Sequence, residues 1–216
     1  MLWYTGCVDN FFEEPNKVLE LSNKLDYQKN LYNKWPGERS KNTFDTNRDF
    51  FIWTTKKILT LFYPMNLDNF EWSASQFFQK IDGGIYKNNG WVHLDKEAEL
   101  TAIIYLSKHK NCGTSIYSPK FFNCEPIHVP EKEKSYQKTN LKNDKYLIEN
   151  NERYEKNISY NSKFNRLIFF DGSQCHAADK FAEENINEDR LTLITFFYHI
   201  IGRGIKYPIS QMRRVV

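Results

Sequence analysis

The sequence has no uncharged apolar run approaching the roughly 18 residues that a transmembrane helix needs, so no membrane span is expected. It also lacks charge of one sign: 30 Lys and Arg against 27 Asp and Glu leave +3 over 216 residues. That excludes the single-signed field of a duplex nucleic-acid or membrane-surface binder. Cysteine is scarce. Cys7, Cys112, Cys124 and Cys175 form no CxxC pair, which argues against a disulfide framework or a structural zinc site and makes reduced thiols the expected state. The start reaches Asp9 before any apolar stretch forms and has no basic segment ahead of it, so no export or transit signal is expected and a cytosolic location is. No internal repeat is visible. Aromatics, by contrast, are abundant, with 17 Phe, 13 Tyr and 5 Trp making 16% of the chain. Such residues favour strands over helix interiors, and a β-rich core is the first expectation.

The apolar pattern supports that reading. Residues 3–9 read as a short strand. Pro15 suits a first helical turn, and Val18, Leu19, Leu21 and Leu25 fit one amphipathic helix. A loop follows at Trp35-Pro36-Gly37-Glu38-Arg39. A second helix is expected from about Asn47 to Phe62, burying Phe51, Ile58, Leu59 and Phe62 and ending before Pro64. Residues 1–69 are thus an N-terminal strand and helical cap. From Phe70 the period becomes two, with Phe70, Trp72 and Ala74 alternating with Glu71, Ser73 and Ser75. Strand-like runs recur at 84–95, 100–106, 114–117, 126–129, 167–170 and 190–200. The expected fold is mainly β with N-terminal helices: a double-stranded β-helix of the jelly-roll, cupin-like kind over residues 70–200. A Lys- and Asn-rich segment at 131–163 reads as a solvated insertion with a short helix near Lys145 to Tyr154, and 201–216 as a tail of the same single domain.

Chemistry concentrates at a few positions. In Trp91-Val92-His93-Leu94-Asp95, residues i and i+2 of an extended chain point to one side, so His93 and Asp95 can bind one ion together. His176 ends a strand-and-turn segment several strands later, which a folded-back double sheet can bring opposite that pair. Two imidazoles and one carboxylate on one face leave positions open for a cosubstrate and O₂ at non-haem Fe(II), although zinc catalysis can use the same set. In Arg190-Leu191-Thr192, alternation pairs a guanidinium and a hydroxyl on one face. A buried arginine there needs an anion, either a cosubstrate carboxylate or an acid of the cluster Glu183, Glu184, Glu188 and Asp189. Tyr105 in the neighbouring apolar run can add a phenolic O–H. Cys175 faces away from His176 and is expected to pack. His109 reads as a solvated turn, and His128 and His199 as core histidines. Trp91 either walls the site or packs, and Arg39 belongs either to a loop covering the site or to a surface turn.

These motifs, in this order, resemble the Fe(II)- and 2-oxoglutarate-dependent oxygenase superfamily over roughly residues 70–200. The resemblance lies at Tyr86 to Asp95, at Ile103-Ile104-Tyr105-Leu106-Ser107 with Gly113-Thr114-Ser115-Ile116-Tyr117, and at the His176 and Arg190 segments. The prolyl-hydroxylase-like branch is the most similar. Val8-Asp9-Asn10-Phe11 through Pro15, Trp35 to Arg39, Asn165-Arg166-Leu167 and Asp171-Gly172 look like a less-studied group of bacterial and phage oxygenases along nearly the full chain. The resemblance implies that His93, Asp95 and His176 hold Fe(II) and that Arg190 pairs with the distal carboxylate of 2-oxoglutarate. It further implies that Thr192 and Tyr105 hydrogen-bond near that carboxylate and that Tyr86 lines the cosubstrate pocket. The implied reaction is hydroxylation of a C–H bond by O₂ with release of succinate and CO₂. Gly113 stands alone where relatives often have Gly-Gly, and Ser107 replaces a frequent Asn.

The substrate class, small molecule or protein and peptide, is not legible, and neither is the oligomeric state. Two other readings keep the fold: a zinc or cupin-type metalloenzyme with the same triad and no essential Arg190, and a non-catalytic jelly-roll binding or phage structural module.

Overall fold

A computed structural model describes residues 3–29, 35–63, 70–83, 85–86, 89–121, 130, 132–133, 145–183, 186 and 188–202. Alternating inward and outward side chains build its two antiparallel sheets. The larger has seven strands, numbered in chain order: β1 (Gly6–Val8), β2 (Tyr27–Lys29), β3 (Glu38–Ser40), β4 (Phe70–Ile81), β5 (Leu100–Tyr105), β8 (Arg166–Asp171) and β10 (Arg190–Gly202). Their spatial order is β1-β8-β5-β10-β4-β3-β2. The smaller sheet runs β7-β6-β9, from β6 (Thr114–Pro119), β7 (Tyr154–Tyr160) and β9 (Cys175–Ala178).

Helices cover one face of the large sheet. α1 (Pro15–Asn23) opens on its proline, α2 (Thr43–Thr46) is a single turn, and α3 (Arg48–Leu59) follows directly. The Asn47 side chain accepts from Phe50 N at 3.1 Å and caps α3, whose last turn carries Lys56 and Lys57 where cations suit the helix dipole. Ile58 and Leu59 of α3 join Phe12 and Val18 against Phe78, Leu100, Ala102, Ile104, Leu167, Leu193 and Phe197 of the sheet, forming the main core. Because Leu193 and Phe197 face the helices, alternation turns Arg190, Thr192, Ile194 and Phe196 of central strand β10 toward the other side. There the two sheets enclose the cavity described below. The helices span 15–23 and 48–59, shorter than the expected runs, and Phe62 is only partly buried.

Several expectations are corrected. Residues 84–95 form no strand among those described: the segment has one isolated bridge, His93 to His176. The loop at residues 35–39 ends in a strand, since Glu38 and Arg39 pair with Lys80 and Gln79 of β4. Gly37 makes that entry possible. Its φ is +74°, and a Cβ there would lie 2.1 Å from Lys80 O. The segment at 131–163, read as a solvated insertion with a short helix, has that helix as α4 (Lys145–Asn151), but it also carries β7, which pairs along β6. The run at 126–129, His128 and the end of the tail lie outside the described residues. Residues before 69 supply β1, β2 and β3, so the N-terminal part is woven into the large sheet. Cys7 and Cys112 are free thiols. No helix among the described residues is long and apolar enough to cross a membrane.

Candidate metal centre

His93 and His176 exchange backbone hydrogen bonds, His93 N to His176 O at 3.0 Å and His176 N to His93 O at 2.9 Å, which sets their rings 4.4 Å apart. Asp95 N donates to Gly172 O at 3.0 Å and fixes the carboxylate on the same side. The result brings His93 Nε2 within 3.8 Å of Asp95 Oδ1 and His176 Nε2 within 3.4 Å of Asp95 Oδ2. One ligand atom from each residue lies within 4.8 Å of the others. Two ligands about 2.1 Å from a shared ion stand roughly 3–3.6 Å apart, so a small closure completes a three-ligand face.

The supporting contacts prepare these groups for a cation. His93 Nδ1 bonds Trp91 O at 2.7 Å and His176 Nδ1 bonds Gln174 O at 3.0 Å. A carbonyl only accepts, so each ring is protonated at Nδ1 and turns the Nε2 lone pair toward Asp95. Burial foremost, then the positive charge of Lys132 and the neighbouring His176, hold His93 well below the ordinary histidine pKa, and Arg39 acts in the same direction. A neutral His93 is the form that binds metal. Thr101 Oγ1 donates to Asp95 Oδ2 at 2.8 Å. It occupies one carboxylate oxygen and leaves Oδ1 for the ion. Sequence reasoning missed Thr101, though alternation in β5 places it on the same face as Ile103 and Tyr105.

A second support comes from the segment read as solvated. The Asn151 carboxamide accepts from Val92 N at 2.9 Å and donates to Gly90 O at 2.9 Å, while Asn150 Nδ2 donates to Val92 O at 3.1 Å. The end of α4 thus supplies the pairing that a strand neighbour would have given the His93 segment.

The cavity beside the triad measures about 240 Å³ and is lined by His93, Asp95, Thr101, His176, Arg190 and Thr192, among others. Arg190 is 4% exposed, its Nε donates to Cys112 O at 3.1 Å, and its guanidinium lies 5.5 Å from the Tyr105 ring. Burial lowers its pKa. No carboxylate among the described residues pairs with it. Glu183 instead accepts from Lys110 N and Asn111 Nδ2, and Glu188 from Lys108 N. Thr192 is fully buried and its hydroxyl has no partner. A buried guanidinium without an acid beside an unpaired buried hydroxyl is an arrangement that an incoming carboxylate completes.

The other predicted residues are placed differently. Tyr105 is buried outside the cavity wall, its hydroxyl donates to Thr114 Oγ1 at 2.8 Å, and burial pushes its pKa up to about 12. It props Arg190 and does not reach into the cavity. Tyr86 also lies outside the wall, edge-on to Phe181 at 6.3 Å. Trp91 packs behind the wall against Ile81 and Phe181, and Cys175 packs with Val92, Tyr154 and Ala177. Arg39 stands on the cavity wall, its guanidinium 4.2 Å from the Trp35 ring. Lys132, not singled out in the sequence, lines the cavity too, and burial pulls its pKa down to about 8 against the attraction of Asp95. His109 is buried, not solvated: its Nε2 bonds Glu188 O at 2.9 Å and its Nδ1 accepts from Glu183 N at 3.3 Å. His199 is exposed, not in the core, with Nδ1 3.6 Å from Glu99 Oε1. Gly113, alone where two glycines were noted in relatives, is the position of close approach: a Cβ there would lie 1.9 Å from Tyr160 O.

Residues 5–197 match a family described as "Family of unknown function (DUF6445)". No curated protein matches the chain. Among solved structures, a prolyl hydroxylase from Trichoplax adhaerens, in complex with a peptide fragment of the hypoxia inducible factor oxygen degradation domain, is similar with a TM-score of 0.52 and 14% identity. It is matched over 90% of this chain and 83% of that one. HygX from Streptomyces hygroscopicus, solved with nickel and 2-oxoglutarate bound, has a TM-score of 0.53 and 11% identity over 90% of this chain and 82% of that one. EvdO2 from Micromonospora carbonacea var. aurantiaca has a TM-score of 0.56 and 8% identity over 95% and 91%. At these identities the likeness is one of fold, and the fold is the double-stranded β-helix.

Proposed function

The chain belongs to the DUF6445 family, whose function is unknown, and from that premise we propose that it is an Fe(II)- and 2-oxoglutarate-dependent dioxygenase that hydroxylates a C–H bond of its substrate. The observation that carries this reading is the pairing, in one cavity, of a two-histidine, one-carboxylate face with a buried arginine that has no acid partner among the described residues. A zinc or cupin-type metalloenzyme with the same triad does not require the second. Support also comes from the fold neighbour that holds nickel and 2-oxoglutarate and from the motif order shared with the prolyl-hydroxylase-like branch.

His93, Asp95 and His176 would hold the iron, which with 2-oxoglutarate and O₂ supplies the oxidising power for hydroxylation, releasing succinate and CO₂. The chain's own groups bind and orient. Arg190 takes the distal carboxylate of the keto acid and Thr192 gives it a hydroxyl donor, while Tyr105 and Cys112 O hold the guanidinium in place. Thr101 keeps Asp95 turned toward the ion, and the Nδ1 bonds keep both imidazoles aligned with Nε2 on the ion side. Ile103, Ile194 and Phe196 line the same cavity and exclude water from the reacting atoms. No side chain need act as acid or base. A cytosolic setting belongs to the same proposal.

The test is succinate formation from 2-oxoglutarate with Fe(II) and O₂ in wild type, His93→Ala and Arg190→Ala. Turnover lost in both variants is expected. Succinate formed without iron, or unaffected by Arg190→Ala, would overturn the assignment.

A further inference from the structure

Arg190 is aimed by a turn that lies outside the cavity wall. The β5–β10 ladder ends at Tyr105 and Thr192, with Leu106 N donating to Leu191 O at 2.9 Å beyond it. Past that point the guanidinium bonds Cys112 O, in the connection between β5 and β6. Cys112 N donates to Ser162 Oγ at 3.0 Å, and Ser162 Oγ donates to His109 O. His109 is 1% exposed, although Lys108 and Lys110 flank it. Its ring is held by the chain that leads into Arg190: Nε2 donates to Glu188 O at 2.9 Å and Nδ1 accepts from Glu183 N at 3.3 Å. The two acids return the grip. Glu188 accepts from Lys108 N, while Glu183 accepts from Lys110 N at 3.0 Å and Asn111 Nδ2 at 2.6 Å. One ring nitrogen thus donates and the other accepts, a pair of roles that a glutamine carboxamide can copy and an alanine cannot.

We propose that His109 is a positioning residue for the cosubstrate. By clamping Glu183 and Glu188 to the β5–β6 connection, it holds Cys112 O and Arg190 where the distal carboxylate of 2-oxoglutarate docks. The inference rests on the oxygenase reading and adds a residue that touches neither the ion nor the keto acid, since His109 lines no part of the cavity. The clamp acts on the chain that joins the two ends of the site. That chain leaves the metal ligand His176, walls the cavity at Phe181, passes Glu183 and Glu188 and returns as Arg190. The surrounding fold is held by other bonds. Gly113 O accepts from Asp179 N at 2.9 Å, and β10 pairs along β4 from Arg190 onward. Loss of the His109 ring therefore leaves the sheets standing and frees Cys112 O and the guanidinium to shift. A misplacement of about 1 Å can cost a positioned contact about a hundredfold.

The experiment uses the full chain loaded with Ni(II), a redox-silent stand-in for iron, as wild type, His109→Ala and His109→Gln. Calorimetric titration reads 2-oxoglutarate and Ni(II) affinity, and the Fe(II) proteins give KM and kcat from succinate formation. His109→Ala should weaken 2-oxoglutarate by about tenfold or more, raising its KM more than it lowers kcat, with Ni(II) affinity changed by less than about threefold. His109→Gln should return 2-oxoglutarate affinity to within about threefold of wild type. Glu183→Ala, on the exposed side of the clamp, removes the partners of Lys110 N and Asn111 Nδ2 and should weaken 2-oxoglutarate by about threefold or more. It carries the test if His109→Ala does not fold. Unchanged 2-oxoglutarate affinity in the alanine variants, an equal loss of Ni(II) affinity, or a glutamine variant no better than alanine overturns the inference. Failure of 2-oxoglutarate to bind the metal-loaded wild type instead brings down the oxygenase reading, and the role of His109 with it.

Discussion

Replacing Arg190 by Met separates ligand recognition from folding. In the free protein the guanidinium is desolvated and, among the described residues, keeps one hydrogen bond, to Cys112 O. The substitution therefore removes a buried charge and a single hydrogen bond, two effects of opposite sign, and the unliganded stability should change by no more than about 1 kcal/mol. Binding is another matter. Two charge-assisted bonds from Arg190 to a carboxylate contribute about 3–6 kcal/mol together, so the variant should bind 2-oxoglutarate roughly 10²–10⁴-fold more weakly. Thermal unfolding of the Ni(II) protein reads both. At a ligand concentration about 100 times its Kd, wild type gains about 2.7 kcal/mol, or about 5–10 °C for a chain of this size. At the same concentration the variant should shift by less than about 2 °C. A variant that keeps the full shift refutes the role given to Arg190, and one that fails to fold without ligand refutes the claim that its charge is idle in the free protein.

Thr101→Val should leave the fold intact and weaken metal binding by about 10–100-fold, measured by calorimetric titration, because Asp95 loses its orienting donor. Asn151→Ala should cost about 1–3 kcal/mol in denaturant unfolding, since it strips the partners of Val92 N and Gly90 O, and should also loosen metal binding through His93. Asp9 accepts from Arg166 and Lys163, and these bonds hold its pKa well below the ordinary carboxylate value. A depressed folded pKa stabilises above the unfolded value and loses that contribution as pH falls. Stability should therefore decline below about pH 4, and Asp9→Asn should flatten that part of the profile.

The sequence carried the strands whose alternation is clean. β4, β5, β8 and β10 lie close to the expected runs because each has one apolar face against the helices. The triad was legible for a related reason: His93 and Asp95 stand two apart, and an extended chain keeps such residues on one side even where no regular strand forms. The segment before His93 misled because Gly90 O and both backbone groups of Val92 bond to the side chains of Asn150 and Asn151, and a side-chain partner leaves no periodic mark on the chain it pairs with. β7 was hidden by its composition. Glu155, Lys156 and Asn157 are exposed on an edge strand, and a polar edge strand reads like a loop. Tyr86 and Tyr105 were assigned by similarity of motif, whereas packing sends the first onto Phe181 and the second under Arg190. His109 looked solvated between two lysines, and only the fold brings Glu183 and Glu188 around its ring.

In the proposed reaction one atom of O₂ enters the keto acid as it is decarboxylated while the other goes to the substrate. Incubating the Fe(II) protein and 2-oxoglutarate under ¹⁸O₂ and weighing the succinate by mass spectrometry tests it directly. One ¹⁸O per succinate, absent in His93→Ala and Arg190→Ala, is the predicted result. Unlabelled succinate, or label that persists in either variant, contradicts the account.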